Sequence, residues 1–65
     1  MLLQLIRTFY NDGLAHDNLE LYEFIETTLN IYGDSNLRHI IRAGQQTLKK
    51  QNYITNIDYA TWQRI

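Results

Sequence analysis

A chain of 65 residues with no cysteine, no proline and a net charge of −1 forms at most one domain, 1–65, without disulfides or thiolate ligands. His16 and His39 are far apart with no ligand-like spacing around them, so no metal site and no cofactor is expected. A hydrophobic share of 45% argues for a folded chain, and no apolar run nears the roughly 18 residues of a membrane span, so the expectation is a soluble, cytoplasmic protein.

The first predicted helix runs from about Leu2 to Asn11. Leu2, Leu5, Ile6 and Phe9 follow the i, i+3, i+4, i+7 spacing, Leu3 and Tyr10 widen the stripe, and Gly13 can supply a left-handed stop. Asp17-Asn18-Leu19-Glu20 has the form of a capping box opening a second helix, with Asp17 as N-cap and Glu20 at N3. Along that helix Leu21, Tyr22, Phe24, Ile25, Thr28, Leu29, Ile31 and Tyr32 fill one half of the wheel. Glu20, Glu23, Glu26, Thr27 and Asn30 fill the other, and Gly33 is the expected end.

A third helix is expected from about Asn36 to Gln51, capped by Asp34 or Ser35. Its apolar stripe is narrow: Leu37, Ile40, Ile41, Gly44 and Leu48. Gly44 in that stripe costs about 1 kcal/mol relative to alanine. It is either a tolerated defect or the mark of another helix passing close by. The last stretch suits a short helix from about Asn56 to Ile65, with Thr55 as N-cap. Tyr53, Ile54, Ile57 and Tyr59 would also suit a strand, but one strand without a mate forms no sheet. The predicted fold class is therefore all-α: a bundle of three longer helices plus a short fourth.

Charge is sorted along the chain. Residues 1–34 hold six acids against one base, Arg7, a balance of −5; residues 35–65 hold five bases against one acid, Asp58, a balance of +4. Such a split means that the halves satisfy each other or face different partners. Glu20, Glu23 and Glu26 line one side of the second helix, either as a solvated face or as a docking surface for a basic partner. Arg38, Arg42, Gln45 and Lys49 form a matching line on the third helix. A short turn between the two helices could bring Glu26 near Arg38 or Arg42.

Five tyrosines and Trp62 are many for this length. Tyr10, Tyr22 and Tyr32 are expected to complete the core, whereas Tyr59 and Trp62, near a chain end, are candidates for an interface. No phosphate loop, no cysteine nucleophile and no metal cluster points to catalysis, and Ser35, the lone serine, is accounted for as a cap. The expected function is non-enzymatic. The chain would bind another macromolecule, foremost a protein, to regulate or inhibit it, with Glu20, Glu23, Glu26, Tyr59 and Trp62 as contacts. Its small core and lack of any other staple favour a homodimer. The alternative is a helix-turn-helix DNA-binding regulator using Asn36, Arg38, His39, Arg42, Gln46 and Lys49 on the helix around 36–50. A structural subunit of a larger assembly is a third possibility.

Overall fold

The computed structural model describes residues 2–65. Its order is α1 (Leu2–Tyr10), β1 (His16–Asp17), α2 (Asn18–Leu29), α3 (Ser35–Lys50), β2 (Ile54–Asp58) and β3 (Thr61–Arg64). The three strands make one antiparallel sheet in the order β1-β3-β2. The fold is thus mixed α and β, and the expectation of an all-α bundle with a fourth helix is overturned by the C-terminal hairpin.

The physical reason is that the strand has two mates. The chain reverses at Tyr59–Ala60, pairing Ile54 with Arg64, Thr55 with Gln63 and Asn56 with Trp62; Asp58 then faces Thr61 across an irregularity at Ile57. On its other side β3 pairs His16 with Trp62 and Asp17 with Thr61. The reversal requires a positive φ of 50° at Ala60, a conformation disfavoured for alanine. Local hydrogen bonds hold it: the Tyr59 amide donates to Asp58 Oδ1, and Asn56 Nδ2 donates to the Asp58 and Thr61 carbonyls. The Asn18 amide donates to the Ala60 carbonyl at 2.9 Å, tying the hairpin turn to the start of α2.

The helices form where their end signals lie. Asp17 and Glu20 make the reciprocal capping box of α2, and Asp34 caps α3 through the Asn36 and Leu37 amides. Helix α2 ends earlier than expected. Asn30, not Gly33, takes the left-handed position (φ 56°), and the Asn30 and Ile31 amides both reach the Glu26 carbonyl. Ile31 and Tyr32 consequently leave the helix and are exposed, as is Ile40 of the expected α3 stripe.

Ile6, Tyr10, Leu21, Tyr22, Ile25, Leu37, Ile41, Leu48, Ile54 and Trp62 form the core, so the sheet contributes its inner face to the helical layer. Gly44 marks a close approach: a Cβ there would sit 2.6 Å from Ile6 Cδ1, where α1 packs on α3. Gln45, only 2% exposed, donates from its amide nitrogen to Tyr10 Oη at 3.0 Å and to Asn18 Oδ1 at 2.9 Å. Burial pushes the Tyr10 phenol up to about 12, against the opposing effect of the Gln45 bond, so it stays protonated. Among the described residues every buried side-chain polar atom has a partner. No helix there is long and apolar enough to cross a membrane.

Candidate nucleic-acid interface

Helix α3 carries no acidic residue from Ser35 to Lys50. Its inner side is fixed by Leu37, Ile41, Gln45 and Leu48, all buried. At about 100° per residue the opposite side presents Lys49, Arg42, Gln46, His39, Lys50, Ala43 and Asn36 in one sector, and all seven are exposed. The five-residue turn 30–34 separates α2 from α3. This is the order of a helix-turn-helix, with an acid-free, largely polar and cationic face on the second helix of the pair.

The hairpin flanks that face. Between α3 and the strands lies a cleft of about 360 Å³ lined by Arg42, Gln45, Gln46 and Lys49 on one side and Asn56, Tyr59, Ala60 and Trp62 on the other, with Asn18 at its end. The Tyr59 ring, 93% exposed at the hairpin turn, stands free. Trp62 is 6% exposed and belongs to the core. Its burial follows from the strand alternation that turns Trp62 and Ile54 inward, which a terminal helix would not have imposed.

The basic residues are not equivalent. Arg38 is directed inward: its Nε and Nη2 donate to the two Glu26 carboxylate oxygens at 3.3 and 3.4 Å, and its guanidinium lies 4.8 Å from the Tyr22 ring centroid. Glu26, expected on a solvated face, is 5% exposed because this pair neutralises it. Arg42 is exposed but donates from Nη1 to Tyr22 Oη at 3.2 Å, while its Nη2 lies 3.4 Å from His39 Nδ1. Lys49 and Lys50 make no ion pair among the described residues. Of the six α3 residues singled out from sequence, Asn36, His39, Arg42, Gln46 and Lys49 are exposed on one face, Arg42 with a hydrogen bond to Tyr22, and Arg38 is paired with Glu26.

Asp12, Glu20 and Glu23 lie apart from the α3 face, whereas Asp34 caps its start and Asp58 is at the hairpin turn beside Tyr59. His16 bridges Asp12 Oδ2 at 2.8 Å and Glu20 Oε2 at 3.1 Å. Burial alone would lower the His16 pKa, but the hydrogen bonds to Glu20 and Asp12 raise it above the usual histidine value. Asp12 is held below its usual range by the Leu14 amide and by His16, and Glu20 by His16 and the Asp17 amide. Glu23 is exposed next to this cluster. Among the described residues no cluster of three or more side chains is arranged to hold a metal.

The cleft residues Asn18, Gln45, Asn56 and Ala60 escaped the sequence reading as site components. Gln45 carried a signal, its place in the basic line of α3, but Asn56 and Ala60 reach the site only through the hairpin. Comparison with protein-family models, with curated proteins and with solved structures finds no match to this chain.

Proposed function

We propose that this chain is a helix-turn-helix DNA-binding module, with α3 entering the major groove and the β-hairpin lying as a wing against the flanking backbone. The observation that carries this reading is the acid-free exposed face of α3 beside the hairpin cleft. Asparagine and glutamine are side chains that pair with base edges in the major groove, and Asn36 and Gln46 lie on that face, with Arg42 beside them for a phosphate. Lys49 and Lys50 supply phosphate contacts near the helix end, and exposed Tyr59 can pack on a sugar or base from the hairpin side. The protein-docking reading is weaker, because Glu26 and Trp62, two of its five contacts, are buried within the monomer.

A second copy would double the modest basic surface and define two half-sites. An apolar groove of about 630 Å³ between Leu2 and Leu5 of α1 and Leu29 of α2, away from the α3 face, supports such a pairing.

Fluorescence anisotropy with a random-sequence duplex, titrated from low to physiological salt, tests the reading. Three cations on phosphates (Arg42, Lys49 and Lys50) correspond to a slope of about −2.7 in log K against log salt per monomer. Affinity would fall roughly 40-fold between about 50 and 200 mM salt, and Lys49→Ala would reduce the slope by about 1. Absence of binding at the lowest salt, or a slope unchanged in Lys49→Ala and Arg42→Ala, would overturn the proposal.

A further inference from the structure

On the surface opposed in charge to α3, a groove of about 520 Å³ opens between α1 and α2. Its floor is the pair Phe9 and Phe24, with ring centroids 5.1 Å apart and planes inclined at 38°. His16 lies against Phe9 at 4.5 Å and closes one end. Thr27 and Thr28 line the other end, and the Thr28 hydroxyl is already spent on the Phe24 carbonyl at 2.7 Å. Glu20 and Glu23 stand on the rim. The Glu20 carboxylate is engaged by His16 and by the Asp17 amide, whereas Glu23 makes no hydrogen bond or ion pair among the described residues.

We propose that this groove docks a basic segment of a protein partner, with one lysine or arginine stem lying along Phe9 and Phe24 and its charge at Glu23. A long basic side chain is apolar along its stem and cationic at its head. The groove offers that same sequence of surfaces: aromatic faces, which attract cations as well as methylenes, and then a free carboxylate. Charge complementarity decides the occupant. The groove carries Glu20 and Glu23 on its rim and is lined by no lysine or arginine, which disfavours nucleic acid and acidic peptides alike. A purely apolar segment would desolvate Glu23 with nothing in return. Because the groove shares no residue with the α3 cleft, a partner held there leaves the DNA face open.

The test is a ¹⁵N–¹H NMR titration of the full chain with a short blocked peptide alternating leucine and arginine, against a control alternating leucine and glutamate. Saturable amide shifts at Phe9, Glu23, Phe24 and Thr27 are expected with the arginine peptide alone. Glu23→Lys should weaken that binding by roughly tenfold or more. Because Glu23 is solvent-facing, the variant should keep its spectrum elsewhere. Thr27→Arg, which places a cation in the groove from within, should also block the peptide. Equal shifts with both peptides, shifts unaffected by Glu23→Lys and Thr27→Arg, or shifts confined to α3 would overturn the proposal. So would groove shifts that depend on protein concentration without peptide, which would mean a second copy as occupant. Failure of the chain to bind DNA leaves this result unaffected, so the two proposals fail separately.

Discussion

Replacing Arg38 by methionine separates a structural cation from a ligand-binding one. The substitution keeps the stem but removes both donors to Glu26, at 3.3 and 3.4 Å, and the cation beside Tyr22. Breaking a fully buried ion pair from one side costs about 3–5 kcal/mol, because a charge is left without compensation. Here the Glu26 side chain is 7% exposed but that of Arg38 is 40% exposed. Water can therefore enter where the guanidinium was, which lowers the electrostatic cost to about 2 kcal/mol. Loss of the contact with Tyr22 adds roughly 0.5–1 kcal/mol. A total of about 2–3 kcal/mol is a large share of the stability of so small a domain and corresponds to a fall in Tm of roughly 10–20 °C. Urea and thermal unfolding followed by circular dichroism would measure it. Arg42→Met, at an exposed position, should cost under about 1 kcal/mol. In the double variant Glu26→Gln/Arg38→Met the loss should fall short of the sum of the single losses by about 1 kcal/mol or more. An Arg38→Met protein as stable as wild type, with no coupling to Glu26, would refute the reasoning and return Arg38 to the binding face.

Trp62→Ala should cost about 3–5 kcal/mol and leave the chain largely unfolded, while Tyr59→Ala should leave Tm unchanged; equal Tm values would contradict their burial. Gly44→Ala should fail to deliver the roughly 1 kcal/mol gain of helix propensity, because the new methyl displaces fully buried Ile6, and Gly44→Leu should destabilise strongly in urea unfolding. The pH dependence of Tm should reflect His16, whose folded pKa is raised: its contribution is complete below the ordinary value of 6.5 and is lost as pH climbs through the folded value. The lowered pKa values of Asp12 and Glu20 act in the opposite sense, contributing above their ordinary values of 3.8 and 4.5 and fading as pH falls through the folded ones. A stability maximum on the acidic side of neutrality follows, and His16→Gln should abolish the decline on its alkaline side. Sedimentation across concentration should reveal a dimer that Leu5→Glu disrupts, and a monomer at every concentration would count against the pairing through α1 and α2.

What could be seen in the sequence was whatever local chemistry decides. Asp17 with Glu20 and Asp34 near Asn36 announce helix starts because a cap needs only residues three apart. The hairpin was hidden because its turn, Tyr59–Ala60, has none of the glycine or asparagine that marks a tight reversal, and the left-handed position falls on alanine. Strand β1 has two residues and exists only because β3 lies beside it, so no period could reveal it. Glu26 looked like its neighbours Glu20 and Glu23, since the arginine that allows its burial comes from the next helix. Gly44 sat between two explanations until the position of Ile6 decided for close approach. For the site the lesson is similar. Helical spacing alone places Asn36, His39, Arg42, Gln46 and Lys49 on one face, whereas the cleft that Arg42, Gln46 and Lys49 share with Asn56 and Tyr59 depends on a hairpin that tertiary pairing creates.

The most direct test of the DNA-binding account is a ¹⁵N–¹H NMR titration of the chain with a short duplex at physiological salt. The account predicts that the largest amide and side-chain shifts fall on Asn36, His39, Arg42, Gln46 and Lys49 of α3 and on Tyr59 at the hairpin turn, while Glu23, Phe24 and Thr27 stay still. Shifts centred on the acidic surface of α1 and α2, or none at α3 with duplex in excess, would contradict it.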